Sequence, residues 1–286
     1  MGTEDVHRQI MQHPVTVRMT ANINPETRER RNVVPKRINI FDTVYTRLTD
    51  QTQYRFAANR EAGKLLPDII DNPVQKVTKH TDLSGADKKQ YHKKRRLGVV
   101  FSGGPAPGGH NVIAGLFDEL KACNQDSRLF GFVLGSDGLL ESRYVEITQQ
   151  MVDAHRNMGG FSMIKTGRTK IDTRQKMDQA LKTCRALDLE GLVVIGGDDS
   201  NTNAAFLAQH FSSAGIRVIG VPKTIDGDIQ VASDDGTKLL AISFGFHSAA
   251  RAFSQNISNL ASDAASDVKY WHVCKVMGRV ASHLTL

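Results

Sequence analysis

The sequence predicts an α/β fold, a doubly wound and mostly parallel sheet with helices on both faces. Short apolar runs alternate with segments of helical length, and glycine-rich turns follow several of the runs. Parallel strands need crossovers that pass over one face of the sheet or the other, and strands buried on both faces read as continuous apolar runs. The pattern begins at Leu97, which divides the chain into an extension (1–96) and a lobe (97–286).

Four strands are predicted where apolar residues run together for six to eight positions. The runs are "LGVVFS" (97–102), "LFGFVLGS" (129–136), "LVVIGG" (192–197) and "IRVIGVP" (216–222). Helices are predicted where apolar residues recur three or four apart. The helical segments are "GGHNVIAGLFDELKAC" (108–123), "TRQKMDQALKTCRAL" (173–187) and "GFHSAARAFSQNISNL" (245–260). The last of them has apolar positions at 246, 249, 253, 257 and 260, which predicts a packed helix.

The extension is polar and is predicted to be irregular. It ends in the basic cluster "KKQYHKKRR", Lys88 to Arg96. We interpret this cluster as a solvated linker or a helix end, with a nucleic-acid patch or a lipid contact as the less favoured alternatives. Only Tyr91 interrupts the charges, so the stacking residues of an RNA-binding surface are missing and nucleic acid is not an expected partner.

Bulk composition predicts a globular, cytoplasmic protein. The 286 residues are 40% hydrophobic, yet no apolar run approaches the roughly 18 residues that span a bilayer, and no secretory signal pattern opens the chain. Cys123, Cys184 and Cys274 have no metal-type spacing, and no disulfide framework is indicated. The net charge of +7 is compatible with nucleic acid, an anionic substrate or a solvated surface.

Two glycine turns are candidate anion sites, because ligands of doubly wound sheets bind at the carboxyl ends of the strands. "FSGGPAPGGHN" (101–111) lacks the spacing of known mononucleotide and dinucleotide loops and is either a phosphate cradle or a tight turn. In "GGDDSN" (196–201) a carboxylate beside phosphate implies a divalent cation between them. Asp198 is therefore a candidate Mg²⁺ ligand, and an aspartate that caps the next helix is the alternative.

The third turn, "GVPKTIDGD" (220–228), pairs a cation with carboxylates. Lys223 has the chemistry to neutralise a phosphate, and Asp226 has the chemistry to accept a proton from an attacking hydroxyl. Alone, the segment also fits an ordinary surface loop. Three such turns at one end of a single sheet indicate phosphoryl transfer.

"SGGPAPGGHN", "GGDDSNTNA", "PKTIDGD" and "VMGR" together resemble the phosphofructokinase family, in particular the long type of its pyrophosphate-dependent branch, as in the catalytic beta subunit of plants. The resemblance covers about 97–286 and implies a Rossmann-like donor lobe. It implies Mg²⁺-dependent, reversible transfer from pyrophosphate to fructose 6-phosphate, which is a glycolytic reaction, in a homo- or hetero-oligomer. Where the family continues into a second, sugar-binding lobe, this sequence stops at Leu286, so we expect a shortened chain or a second polypeptide.

The resemblance also implies roles for individual residues. Gly103 and Gly104 contact the donor, Asp198 holds Mg²⁺, and Asp226 is the general base. Arg168 holds the transferring phosphoryl group, and fructose 6-phosphate is contacted by Thr224, Met277, Gly278 and Arg279. ATP-using relatives read GGDG where Asp199 stands, so this carboxylate is expected to exclude ATP by bulk and charge. Lys223 is expected to neutralise the leaving phosphate.

One motif departs from the pattern. "GFHSA" replaces the usual "GFDTA", and we expect His247 to be a neutral histidine packed at a helix start. The alternatives to a pyrophosphate-dependent enzyme are a non-catalytic or truncated inactive subunit, an ATP-dependent 6-phosphofructokinase, a nucleic-acid binder, and an NAD or lipid kinase with a similar turn. A non-catalytic subunit is expected to lose the Lys and Asp of "PKTIDGD", and both are present here.

Overall fold

The computed structural model describes residues 25–33, 38–56, 60–227, 229–267, 269–278 and 284. Its strands, in chain order, are β1 Thr46–Asp50, β2 Gln75–Lys79, β3 Arg96–Ser102, β4 Arg128–Phe132, β5 Tyr144–Glu146, β6 Gly191–Gly196, β7 Arg217–Thr224, β8 Val231–Ala232, β9 Lys238–Leu240 and β10 Phe244–Gly245. Its helices are α1 Pro25–Asn32, α2 Arg60–Gly63, α3 Gly85–Tyr91, α4 Gly109–Cys123, α5 Ser136–Leu140, α6 Gln149–His155, α7 Arg174–Ala186, α8 Asp198–Phe211 and α9 Phe246–Ser266.

Six of the strands form one sheet, in the order β10-β7-β6-β3-β4-β5. Neighbours run parallel except β5, which pairs antiparallel with β4. All six residues of β6 are buried, as expected for a central strand covered on both faces. This topology confirms the predicted fold class.

Two apolar layers cover the two faces of the sheet. Successive residues of a strand point to opposite faces, so Val99 and Phe101 of β3 join one layer while Val100 joins the other. The first layer also contains Ile113, Phe117 and Val152 of α4 and α6. The second contains Leu181, Cys184, Leu207 and Phe211 of α7 and α8. Each fully buried side chain of this kind contributes about 1.5–3 kcal/mol.

The predicted first two helices are confirmed, with caps that explain where they begin. α4 starts after Gly108, whose φ of +97° is a left-handed conformation. α7 starts after Thr173, whose hydroxyl accepts a hydrogen bond from the backbone N–H of Lys176 at 3.3 Å. Side-chain capping of this type satisfies backbone donors that have no partner within the helix.

The second predicted strand ends earlier than expected. β4 stops at Phe132, and Leu134 takes a φ of +65° as the chain turns into α5. The N–H of Leu134 bonds the carbonyl of Ile164 at 2.9 Å instead of a neighbouring strand. Val133 stays buried in the turn, so the apolar run outlasts the strand.

The last predicted helix forms, but its predicted packing is wrong. α9 extends to Ser266, and Ala249 is its only buried residue with a described side chain. Leu260 is 42% exposed. The amphipathic pattern predicts a buried apolar face, but Phe253 and Ile257 on that face are only half-buried.

The extension has more regular structure than its composition predicts. β1 and β2 form a two-stranded antiparallel sheet, and α3 begins with a reciprocal capping box between Ser84 and Asp87. Several hydrogen bonds fasten this region to the lobe, and backbone N–H groups of the extension donate two of them. The backbone N–H of Asp68 donates to Gln209 Oε1 of α8 at 2.9 Å, and that of Arg55 donates to Ser233 Oγ at 3.2 Å. The division of the chain at residue 96 stays a prediction.

The basic cluster agrees with the helix-end interpretation. Lys88 and Lys89 lie in the last turn of α3. Arg95 forms an ion pair with Glu190 at 3.2 Å, and the Arg96 guanidinium lies 5.1 Å from the ring centroid of Phe130.

Among the helices described, none combines the length and apolar character that a bilayer crossing requires.

Candidate active site

The three predicted turns lie side by side at one edge of the sheet. β3, β6 and β7 are adjacent and parallel, and they end at Ser102, Gly196 and Thr224. Each strand runs directly into one of the turns. The expectation that they share one edge is confirmed.

The first turn is held in a shape that brings a cation to it. Gly103 has a φ of +85°, which glycine adopts without steric cost, and its N–H bonds the carbonyl of Gly167 at 2.8 Å. The Thr166 hydroxyl donates to the carbonyl of Gly103 at 2.7 Å. A Cβ atom on Gly104 would lie 3.7 Å from Nη2 of Arg168. Gly103, Gly104 and Arg168 are therefore neighbours.

The second turn places two carboxylates in the first turn of α8. The N-cap is Gly197, so neither Asp198 nor Asp199 caps the helix, and that alternative is not adopted. Both aspartates are exposed, and the positive end of the helix dipole stabilises their charge. Asp198 forms no ion pair with a described residue, whereas Asp199 Oδ2 lies 3.2 Å from Nζ of Lys170.

A polar set under this turn was not singled out from the sequence. Asn201 Nδ2 donates to the carbonyls of Gly196 and Gly197, both at 2.8 Å, and Ser200 Oγ donates to Ser102 Oγ at 2.9 Å. A Cβ on Gly196 would lie 2.4 Å from the side chain of Ser200, so this position requires glycine. The signal was available, since "SN" directly follows the aspartates.

The third turn carries a buried lysine and a half-buried aspartate three residues apart in the chain. Lys223 and Thr224 end β7 and are 9% and 6% exposed. The N–H of Asp226 bonds Thr224 Oγ1 at 3.0 Å, which fixes the turn, and Asp226 is half-buried. A buried ammonium is costly unless it is paired with an anion. The second carboxylate of this motif, Asp228, lies outside the described residues.

The predicted sugar-phosphate residues near the end of the sequence lie in an irregular segment. Met277 is 70% exposed and Gly278 has a φ of +140°. Arg279 lies outside the described residues. The residues 269–278 form neither helix nor strand where they are described.

The family can now be stated from a direct comparison. The model of the family described as "Phosphofructokinase" matches residues 96–286, about two thirds of the chain. The chain belongs to the phosphofructokinase family. The predicted resemblance is thereby confirmed.

Curated phosphofructokinase relatives carry the name pyrophosphate–fructose 6-phosphate 1-phosphotransferase. The protein of Porphyromonas gingivalis is 53% identical over 71% of this chain and 36% of its own length. The protein of Entamoeba histolytica is 44% identical over 79% of this chain and 42% of its own length. Subunit beta 1 of Arabidopsis thaliana is 46% identical over 79% and 38%. The chain thus spans about two fifths of the length of these relatives.

Solved phosphofructokinase structures share the fold. A pyrophosphate-dependent phosphofructokinase from Marinobacter aquaeolei superposes with a TM-score of 0.50 at 19% identity, over 60% of this chain and 42% of its own. Phosphofructokinase from Saccharomyces cerevisiae superposes with a TM-score of 0.50 at 23% identity, over 67% of this chain and 27% of its own. At such identities the likeness supports the α/β fold alone.

Two histidines of this phosphofructokinase lobe have structural positions. His110, in the first turn of α4, is 1% exposed and accepts a hydrogen bond from the N–H of Met163 at 3.1 Å. Burial, with His155 nearby, lowers the pKa of His110 to about 3, so the ring is neutral. His247 lies at a helix start as predicted, but it is exposed, with its ring against that of the neighbouring Phe246, so its predicted packing is wrong.

The carboxylates that could hold a metal are few. Across the described ranges, no group of three or more His, Cys, Asp or Glu residues is arranged to bind a metal ion. Mg²⁺ takes one or two carboxylates together with substrate phosphates and water, and does not need an all-protein cage. Asp198 at the glycine turns fits such a partial site.

Proposed function

We propose that the protein to which this lobe belongs transfers a phosphoryl group reversibly from pyrophosphate to fructose 6-phosphate with Mg²⁺. The products are fructose 1,6-bisphosphate and phosphate, as in a glycolytic step. The observation that carries the proposal is the alignment of three turns at one sheet edge, which supply Asp198, Lys223 and Asp226, with Arg168 beside the first turn. The names of the relatives support the donor and the acceptor.

In this mechanism Asp226 accepts the proton of the sugar 1-hydroxyl. The hydroxyl oxygen attacks phosphorus, a new O–P bond forms, and the bond to the bridging oxygen breaks, so that phosphate leaves with the electron pair. Lys223 neutralises the leaving phosphate from its buried position at the end of β7. Proton acceptance and charge neutralisation are the contributions that proteins make to phosphoryl transfer.

The donor is held between the first turn and Arg168. Gly103 and Gly104 let the backbone approach the phosphates, and the guanidinium beside Gly104 binds the transferring group. Asp198 would hold Mg²⁺, which offsets the charge of the phosphate oxygens when it is bound. Thr224 and the segment that contains Met277, Gly278 and Arg279 bind the sugar phosphate.

Asp199 selects the donor. Where a nucleotide would continue beyond its terminal two phosphates, this side chain adds bulk and a negative charge. Two like charges about 4 Å apart repel by about 1 kcal/mol even in bulk water. Since each 1.4 kcal/mol is a tenfold change, this repulsion corresponds to about a fivefold preference.

Several further properties follow from the same assignment. The alpha and beta names of plant relatives support an assembly of phosphofructokinase subunits, and the chain is 46% identical to a beta subunit but 36% identical to an alpha subunit of Arabidopsis thaliana. Retention of Lys223 and Asp226 favours a catalytic subunit over a non-catalytic one. Three unpaired cysteines suit the reducing cytoplasm, where we place the protein.

One assay tests the proposal. Full-length protein is incubated with fructose 6-phosphate, Mg²⁺ and either pyrophosphate or ATP, and fructose 1,6-bisphosphate is measured. We expect product with pyrophosphate and little with ATP. Product with ATP alone would overturn the proposed donor, and no product with either donor would favour a non-catalytic subunit.

A further inference from the structure

A segment of which the sequence analysis used only Arg168 borders the candidate donor site. Residues 165–171 run beside the first turn, and Gly167 forms a parallel bridge with Ser102 at the end of β3. The carbonyl of Gly167 accepts the N–H of Gly103, and the hydroxyl of Thr166 donates to the carbonyl of the same glycine. One end of the segment is therefore fixed to the first glycine turn.

The other end is fixed to α8. Ile171 is 2% exposed, and its N–H donates to Asn203 Oδ1 at 3.1 Å. The carbonyl of Lys170 accepts a hydrogen bond from Lys176 Nζ at 2.9 Å. The backbone of Lys170 is thus held on both sides, although its side chain is exposed.

The side chain of Lys170 reaches the residue that selects the donor. Its Nζ atom lies 3.2 Å from Oδ2 of Asp199, with the two side chains 56% and 73% exposed. An exposed ion pair of this kind adds little to stability. Its effect on a bound polyanion is different, because an uncompensated carboxylate at the site would repel pyrophosphate as well as a nucleotide.

We propose that Lys170 is a positioning and specificity residue that acts through Asp199. Its ammonium holds the carboxylate at the border of the donor site and offsets part of its charge, so that Asp199 occupies the nucleotide space with less repulsion of pyrophosphate. This inference rests on the proposed function, because it needs pyrophosphate to bind at the glycine turns. The expected signature is a change in donor affinity, with kcat nearly unchanged.

A double-mutant cycle on the full-length protein tests this coupling. The dissociation constant of pyrophosphate is measured calorimetrically in the presence of Mg²⁺ for the unaltered protein, Lys170→Met, Asp199→Asn and the double variant. Binding is measured directly, so the test does not depend on turnover. Lys165→Met is the matched control, since Lys165 is an exposed cation of the same segment and makes no ion pair with a described residue.

We expect Lys170→Met to weaken pyrophosphate binding about twofold to fivefold, the range of exposed ion pairs. Lys170→Arg should restore the affinity. In the Asp199→Asn background, Lys170→Met should change the dissociation constant no more than Lys165→Met does. The KM for pyrophosphate should follow the dissociation constant, while kcat stays within about twofold.

Three results would overturn the inference. An equal effect in both backgrounds would mean that Lys170 acts on the donor directly, and no effect in the native background would leave the pair a surface contact only. In both cases the unaltered protein still binds pyrophosphate, and the proposed function stands. If the unaltered protein does not bind pyrophosphate, the proposed donor site fails and this inference fails with it.

Discussion

The edge of the sheet that carries the three turns and the C-terminal part of the chain differ in how the lobe holds them. At the sheet edge, backbone and side-chain hydrogen bonds from Thr166, Ser200 and Asn201 fix the turns, and Lys223 is buried. Beyond β10, Ala249 is the only described side chain of α9 that is buried, and Trp271 is 98% exposed. The turns at the sheet edge are thus held by local packing, whereas the C-terminal part makes few such contacts among the described residues.

The largest expected effect is at the sheet edge. Asp226→Ser removes the proposed general base, and we expect kcat of the full-length enzyme to fall about 10²- to 10⁴-fold. Calorimetric binding of pyrophosphate should be largely kept. Asp126→Ser is the control, because Asp126 precedes β4 at the opposite edge of the sheet. If Asp226→Ser lowered activity no more than the control, Asp226 would have no catalytic role.

A matched pair of leucines measures the packing difference itself. Leu207 of α8 is 2% exposed and Leu260 of α9 is 42% exposed. Leu207→Ala should lower the free energy of unfolding by about 2–5 kcal/mol, the range for buried leucines. Leu260→Ala should change it by about 0.5 kcal/mol or less. Both values come from urea unfolding of this chain, and equal losses would show that the face of α9 is packed.

Acid should destabilise the buried side of the comparison. Burial lowers the pKa of His110 and of His155 below the usual value of 6.5, to about 3 for His110. Below pH 6.5 the unfolded state binds protons that the folded state does not. The free energy of unfolding therefore decreases as the pH is lowered, by up to about 1.4 kcal/mol per pH unit for each such histidine. Stability should be highest above the unfolded pKa.

Substitution distinguishes this effect from general acid denaturation. His110→Gln keeps an acceptor for Met163 and should flatten the dependence of the urea midpoint on pH between 5 and 7. Leu260→Ala, at an exposed position of α9 without a titratable group, should leave the slope unchanged. An unchanged slope in His110→Gln would show that His110 does not cause the loss of stability in acid.

The sequence predicted the sheet and its turns because buried parallel strands are apolar throughout and the glycines mark their ends. It did not predict β1 and β2, whose sequences "TRLTD" and "QKVTK" each contain a single apolar residue, Leu48 and Val77. A pattern of alternation needs more than one buried position to be recognised.

The packing of α9 and the ion pair between Lys170 and Asp199 could not be predicted from the sequence for a different reason. The apolar face of α9 predicts that a helix forms, but not what covers it. Lys170 and Asp199 meet because the segment after Gly167 is anchored to two elements at once, and nothing in the spacing of the two residues indicates it. The resemblance at Met277 and Gly278 likewise predicts contacts that only a folded sugar site can test.

The sheet edge is proposed to bind pyrophosphate, with Asp199 excluding nucleotides from it. The direct test is the ratio of kcat/KM for pyrophosphate to kcat/KM for ATP in the full-length protein, in Asp199→Gly, and in Asp199→Asn, which keeps the bulk and removes the charge. We expect the ratio to fall about fivefold or more in Asp199→Gly, with an intermediate fall in Asp199→Asn. A ratio that is the same in all three proteins would contradict the account.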